Sequence, residues 1–305
     1  MAIILFGYYG FNNVGDEQLL DESVRLIKQK SDSIPFFVAN GPYATPFPAF
    51  NRWNVFQWVS HLFRAKVLLF GGGSLFQSQT SRWSLFYYLF IVILAKSFRC
   101  KIVLLCHGWG PFKRKWHERF TVWVLKNCER SWRIPIGPKE FFNDHIFCDL
   151  TQTQPVNTNP SSESKKLGLA LRAKQDISSL TSFFASHFSE ILVLDNQPKK
   201  HSKNVSMHDI WNKNQLGIGF VVTDRFHTAI WASRHGIGWI AISNDPKLIR
   251  LASSANQPCY SSAKDLFSSN DWKMYQSGAH LQNWSTSFQS MRAPIKKWLY
   301  EYLPY

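Results

Sequence analysis

The residues with the clearest chemical potential lie in the stretch 221–230, V-V-T-D-R-F-H-T-A-I, where Asp224, Arg225 and His227 sit between an apolar run and a helical pattern. Arginine presents a rigid fork to a carboxylate or phosphate, and histidine titrates near neutrality, so the pair can hold an anion and move a proton. A lone histidine here would more often bond a helix start. Lys247, however, follows the next apolar run in S-N-D-P-K, which brings another cation to a neighbouring strand end. Such a basic triad suits a small dianion. Two glycine-rich stretches carry a second set of candidates. G-Y-Y-G-F-N-N-V-G-D-E, residues 7–17, includes Asn13 and Asp16, and G-G-G-S-L-F-Q, residues 71–77, includes Gly72 and Gly73. Glycines permit close backbone approach to a ligand, and a following helix start offers unpaired N–H groups. Asp16 serves there either as a helix cap or as a ligand contact. Neither stretch is G-x-G-x-x-G, so no dinucleotide site is assigned.

These residues must be positioned by an alternation of strands and helices. Apolar runs at 2–6, 35–38, 67–70 and 102–106 predict strands, and helix-spaced apolar residues predict helices at 17–29, 55–63, 81–98 and 115–127. The pattern restarts with strands at 167–171, 191–194, 220–222 and 239–242 and helices at 177–188 and 227–234. Glycines directly after strands in such an alternation predict parallel sheets covered by helices, with ligands at the strands' C-terminal ends. The fold class is therefore α/β, with two Rossmann-like parallel-sheet domains. The polar stretch 151–165, T-Q-T-Q-P-V-N-T-N-P-S-S-E-S-K, is a linker by composition. It divides an N-terminal domain, 1–150, from a C-terminal domain, 166–285. A tail helix in 286–305 is expected to pack back on the first domain.

The length of 305 residues agrees with two domains at roughly 150 residues each. Apolar residues at 45% and charged residues at 18% exclude a disordered or collagen-like chain. The net charge of +15 concentrates anions, whether phosphate, nucleic acid or an anionic membrane. Five cysteines without C-x-x-C spacing argue against a disulfide framework or zinc ribbon and fit a reducing cytosol. The start M-A-I-I-L-F-G lacks a basic leader region and no apolar run is long enough to span a bilayer. A cytoplasmic protein is expected, attached at most to the inner face of the cell membrane. The stretch 109–119, with Trp109, Phe112 and Trp116 among Lys113, Arg114, Lys115 and Arg119, is the expected contact with anionic lipid. No nucleic-acid-binding motif accompanies the basic clusters, so nucleic acid is not expected as a partner.

The segments GYYGFNNVGDE, GGGSLFQSQTSRWSLFYYL, HGWGP, DRFHTAIWASRHGIG and ISNDPK together resemble the motif series of the polysaccharide pyruvyl transferase family, in the family's order along nearly the whole chain. The resemblance implies a fold similar to GT-B glycosyltransferases and transfer of pyruvate from phosphoenolpyruvate to a sugar of a cell-surface polysaccharide or its lipid-linked precursor, forming a ketal. It implies Arg225 and His227 as catalytic residues and Lys247 as a donor-binding lysine. Asn13, Asp16, Gly72, Gly73, Ser81 and Arg82 fall in its substrate-binding motifs. Arg133 is the nearest candidate for a further family arginine, although W-R-I-P-I-G departs from the usual V-R-D. In H-G-W-G-P, His107 and Trp109 replace the usual Gln and Ile, which either alters the acceptor pocket or is packing. No His, Cys or carboxylate cluster has metal-ligand spacing, so a metal-independent enzyme with phosphoenolpyruvate as donor substrate and no cofactor is expected. A GT-B-like glycosyltransferase holding a nucleotide sugar's pyrophosphate with the same cations is the competing possibility.

Overall fold

The computed structural model describes residues 2–133, 141, 143–155, 164–172, 177–197, 204–212, 214–269 and 271–304. They fall into two compact units, Met1–Thr153 with Met291–Tyr305, and Gln154–Ser290. The first is built from β1 (Ala2–Phe6), α1 (Val14–Lys30), β2 (Phe36–Asn40), β3 (Ala49–Asn51), α2 (Val55–Leu62), β4 (Ala65–Phe70), α3 (Arg82–Ser97), β5 (Lys101–His107), α4 (Lys115–Leu125), β6 (Glu129–Trp132) and β7 (His145–Ile146). Its strands form one parallel sheet in the order β3-β2-β1-β4-β5-β6-β7. Alternate side chains leave opposite faces of a strand. Ile4, Phe6, Leu68, Phe70, Ile102 and Leu104 accordingly join the apolar residues of α2, α3 and α4 in one core. Ile3, Leu5, Leu69 and Val103, equally buried, point to the other face.

α1 begins three residues before the helical pattern does because Asn13 caps it, its side chain accepting a hydrogen bond from Gly15 N at 3.2 Å. The start of the polar stretch after residue 150 departs from the expected linker. Leu150–Thr153 is a buried 3₁₀-helix. The Asp149 carboxylate organises it, accepting from Thr151 N at 3.0 Å and from Thr151 Oγ1 at 2.6 Å. Hydrogen bonds rather than apolar contacts order this turn, so composition alone gives a linker. Residues 156–163 of the expected linker lie outside the described residues.

The second unit contains β8 (Lys166–Ala170), α5 (Ile177–Phe184), β9 (Glu190–Asp195), β10 (Val205–Ser206), α6 (Met207–Ile210), β11 (Phe220–Thr223), α7 (Phe226–Arg234), β12 (Gly238–Ile242), α8 (Pro246–Ser254), β13 (Cys259–Tyr260), α9 (Ala263–Ser269) and α10 (Ala279–Gln289). Its sheet is also parallel, in the order β10-β9-β8-β11-β12-β13. The chain then returns to the first unit as α11 (Arg292–Tyr300). The Tyr300 hydroxyl donates to Leu26 O at 3.0 Å, and Lys30 Nζ donates to Tyr300 O at 2.8 Å, which fixes α11 against α1. Among the described residues no helix is long and apolar enough to cross a membrane.

Candidate active site

In each unit the strand order reverses at one place, between β8 and β11 in the second and between β1 and β4 in the first. Helices leave in opposite directions there, opening a crevice at the strands' C-terminal ends where open α/β sheets bind ligands. In the second unit β11 ends at Thr223, whose Oγ1 donates to Ala170 O at 2.9 Å and accepts from Arg225 N at 2.9 Å. This locks the turn and sets Arg225 at the N-cap of α7, with His227 in its first turn. Asp224 accepts from Arg172 N, at the end of β8, at 3.1 Å. Its carboxylate stands 3.4 Å from Arg225 Nε. Burial raises the Asp224 pKa, against the pull of the Arg172 backbone and of Arg225 and Arg172 themselves. Burial also lowers the Arg225 pKa; Asp224 and Asp195 oppose this and Arg172 adds to it. A partly desolvated guanidinium beside a second cation is a place where an anion relieves unfavourable charge.

Lys247 occupies the first turn of α8 after β12, the strand paired with β11. The Asp245 side chain caps that helix by accepting from Lys247 N at 2.9 Å. With neighbouring strands about 4.8 Å apart, the ends of β8, β11 and β12 span roughly 10 Å, the scale of a small dianionic ligand. Asn196, at the end of β9, donates to Thr228 Oγ1 at 2.7 Å and ties the start of α7 to the strand on the far side. Arg172 was not singled out from the sequence. Its signal was its place directly after a predicted strand, but only the pairing of β8 with β11 sets it beside Arg225.

In the first unit the loops after β1 and β4 flank the reversal. A Cβ on Gly71 would run into Ser23 Oγ and the Tyr9 hydroxyl, and Gly73 takes a left-handed φ of 86° with the Asp16 carboxylate over it. Both positions require glycine for physical reasons. Beneath the loop Arg52 is fully buried, donating to Gly7 O at 2.7 Å and to the Tyr88 hydroxyl at 3.0 Å. The rings of Phe6, Phe11 and Trp53 stand 5.0 to 5.3 Å from its guanidinium.

Glu17 accepts from Gly10 N at 2.9 Å, closing the β1–α1 loop, and burial pushes its carboxyl up to about 7. Because folding raises this pKa, the folded state holds the proton more tightly than the unfolded chain. The resulting stabilisation is complete below the ordinary value of 4.5 and is lost as pH rises through about 7. Glu17→Gln keeps the acceptor oxygen but cannot ionise. Its melting temperature should therefore fall less than that of the unaltered protein as pH rises across this window. Parallel curves would assign the titration elsewhere, with Asp21, pushed up to about 6 by burial, the next group to examine.

The other expected site residues are distributed as follows. Asn13 caps α1, and Ser81 caps α3 by accepting from Ser84 N at 3.2 Å. Arg82 is exposed on the first turn of α3, its guanidinium 5.1 Å from the Trp83 ring. His107 is fully buried, 5.3 Å from the Phe76 ring and 6.1 Å from that of Phe70. Trp109 is partly buried, its ring 5.5 Å from that of Trp132 and 5.7 Å from that of Phe141. Arg133 belongs to the first unit and forms a buried ion pair with Asp149, while its Nη2 donates to Ser74 Oγ at 2.8 Å. Arg225, His227 and Lys247 all belong to the second unit.

Two parallel-sheet α/β domains make this a GT-B-like fold. Among solved structures, the Anabaena Alr3699/HepE complex with UDP-glucose is 10% identical, with a TM-score of 0.64 over 99% of this chain and 100% of that one. S. aureus MnaA with UDP is 8% identical, with a TM-score of 0.60 over 99% and 98%. The wall teichoic acid polymerase TagF is 10% identical, with a TM-score of 0.53 over 100% and 90%. At these identities the likeness is one of fold. A search of curated protein sequences found no significant match. Residues 13–133 match the family model described as polysaccharide pyruvyl transferase. That stretch contains Asn13, Asp16, Gly72, Gly73, Ser81, Arg82, His107 and Arg133 and ends before Arg225, His227 and Lys247.

Proposed function

We propose that this protein is a cytoplasmic enzyme that transfers pyruvate from phosphoenolpyruvate to two hydroxyls of a saccharide, the acceptor being a cell-surface polysaccharide or its lipid-linked precursor. The observation that carries this reading is the placement of Arg172, Arg225, His227 and Lys247 at the ends of the neighbouring strands β8, β11 and β12. The family match over residues 13–133 supports the same class of reaction. Phosphoenolpyruvate carries a carboxylate and a phosphate, and the guanidinium of Arg225 suits either, with Lys247 as a point charge on the other. His227 moves protons. One proton reaches the enol CH₂ carbon, one sugar hydroxyl adds to C2, and the C2–O bond to phosphate breaks. A second hydroxyl then closes the ketal at C2. Of the two protons the hydroxyls release, one balances that added to carbon and the other leaves on inorganic phosphate. The fixed cations supply the electrostatic stabilisation of the departing phosphate, and the enzyme works without a metal or cofactor.

A second reading deserves its own test because the HepE structure on this fold holds UDP-glucose. A GT-B-like glycosyltransferase would use the same cations for a nucleotide sugar's pyrophosphate. Phosphate release from phosphoenolpyruvate is measured against a panel of lipid-linked and nucleotide-linked saccharides, beside thermal shifts with phosphoenolpyruvate and with UDP-glucose. Acceptor-dependent phosphate release and a shift with phosphoenolpyruvate are the expected results. A shift with the nucleotide sugar alone, with no phosphate released, would assign the site to glycosyl transfer.

A further inference from the structure

α3 is apolar on every side. Leu85, Tyr88, Leu89 and Val92 fill the core beneath it. On its outer side Trp83, Phe90 and Ile93 are 71%, 51% and 41% exposed. A helix apolar all round is normally enclosed by protein or by lipid. α4 continues the same surface: Phe86 of α3 stacks on Trp116 at 5.6 Å, and Phe120 stacks on Trp123 at 5.8 Å. Trp116 and Trp123 are themselves 49% and 66% exposed. The apolar strip therefore runs unbroken across two packed helices.

The stretch of chain that carries this strip is almost wholly cationic. Residues 52–128 contain twelve Lys and Arg and one carboxylate, Glu118. Among those cations Arg52 alone is buried. Glu118 is engaged as well, accepting from Trp109 Nε1 at 3.3 Å. Lys113, Arg114 and Lys115 stand exposed at the start of α4, with Arg119 one turn on. A second copy of the same face would set like charge against like. An anionic bilayer satisfies both parts, since its headgroups attract the cations and its interface takes tryptophan and phenylalanine rings.

We propose that the outer face of α3 and α4 docks on an anionic lipid bilayer, inserting Trp83, Phe90, Ile93 and Trp123 while Lys113, Arg114 and Lys115 meet the headgroups. The expected contact at 109–119 thus keeps its cations and takes its apolar part from the outer faces of α3 and α4. Both helices begin at the C-terminal edge of β4 and β5, the edge that carries Gly72 and Gly73, so a lipid-linked acceptor would be presented beside the first unit's loops. The inference deepens the lipid-linked reading of the acceptor, but it is tested without any substrate.

The full-length protein is sedimented with vesicles of pure phosphatidylcholine and of phosphatidylcholine containing roughly one-third phosphatidylserine, at low and high salt. Binding to the anionic vesicles that weakens with salt is expected. The Lys113→Glu, Arg114→Glu, Lys115→Glu variant should lose on the order of hundredfold in partitioning. A Phe90→Gln, Ile93→Gln, Trp123→Gln variant, all at exposed positions and checked by thermal melting, should lose at least roughly tenfold. Failure to bind anionic vesicles at low salt would overturn the proposal, as would undiminished binding by the glutamine variant. A concentration-dependent dimer abolished by the glutamine variant, with no vesicle binding, would assign the face to a second copy. Phosphate release with a soluble acceptor alongside absent vesicle binding would sink the docking face and spare the chemistry.

Discussion

Replacing His227 or Arg225 by alanine should abolish most turnover of phosphoenolpyruvate while leaving the protein folded. General acid–base groups contribute about 10²–10⁴-fold in rate, and a fixed donor aimed at developing charge about 10²–10³-fold. Both side chains are only half-buried, and the turn at Arg225 is fixed by its backbone N–H to Thr223 Oγ1, with the guanidinium paired to Asp224 at 3.4 Å. Truncation therefore removes charge at the strand ends without opening a cavity. Arg225→Lys should recover little, because an ammonium cannot reproduce the planar fork. Lys247→Ala should act differently, raising the KM for phosphoenolpyruvate more than it lowers kcat, as loss of a point charge on a bound anion does. Steady-state kinetics beside thermal melting decides these points. Near-normal activity in either alanine variant would remove its catalytic role, and collapse of the fold would make the residue structural.

The largest loss of stability should come from Arg133→Met. The Arg133 and Asp149 side chains are 4% and 1% exposed, so the substitution leaves a carboxylate in a protein interior without its counter-charge. Removing one member of such a pair costs about 3–5 kcal/mol. The two hydrogen bonds from Thr151 that remain on Asp149 favour the lower end. For a unit of this size about 3 kcal/mol corresponds to a fall in melting temperature of roughly 6–12 °C. Arg133→Met combined with Asp149→Asn should regain part of it, since the amide removes the stranded charge and the two sites are directly coupled. If Arg133→Met melts like the unaltered protein and instead raises the KM for phosphoenolpyruvate, the arginine serves the donor, as the family resemblance implies.

Local signals account for most of what the sequence by itself determined. Five-residue apolar runs such as A-I-I-L-F at β1 and G-W-I-A-I at β12 are strands because both of their faces are buried, and parallel strands of this kind need no pairing partner to be recognised. Glycines or a short polar residue at each strand exit marked the loops, so Asp16, Gly73, Arg225 and Lys247 could be assigned to strand ends before any strand was paired. Elements whose stability comes from elsewhere were not legible. β3, β7, β10 and β13 have only two or three residues each and exist because a longer neighbour offers a free edge. The helix at Leu150–Thr153 rests on one buried carboxylate.

Tertiary structure decided which charges meet and which aromatic rings face outward. Arg172 lies beside Arg225 only because Ala170 pairs with Thr223 across the strand reversal, a contact no local pattern encodes. Two tryptophans close to a helix start came out differently: Trp109 packs partly buried against Trp132, and Trp83 is left 71% exposed. An amphipathic helix announces its buried side through its period. α3, apolar all round, has no readable side, and the packing of the sheet at β5 and of α4 against it determines which of its rings remain outside.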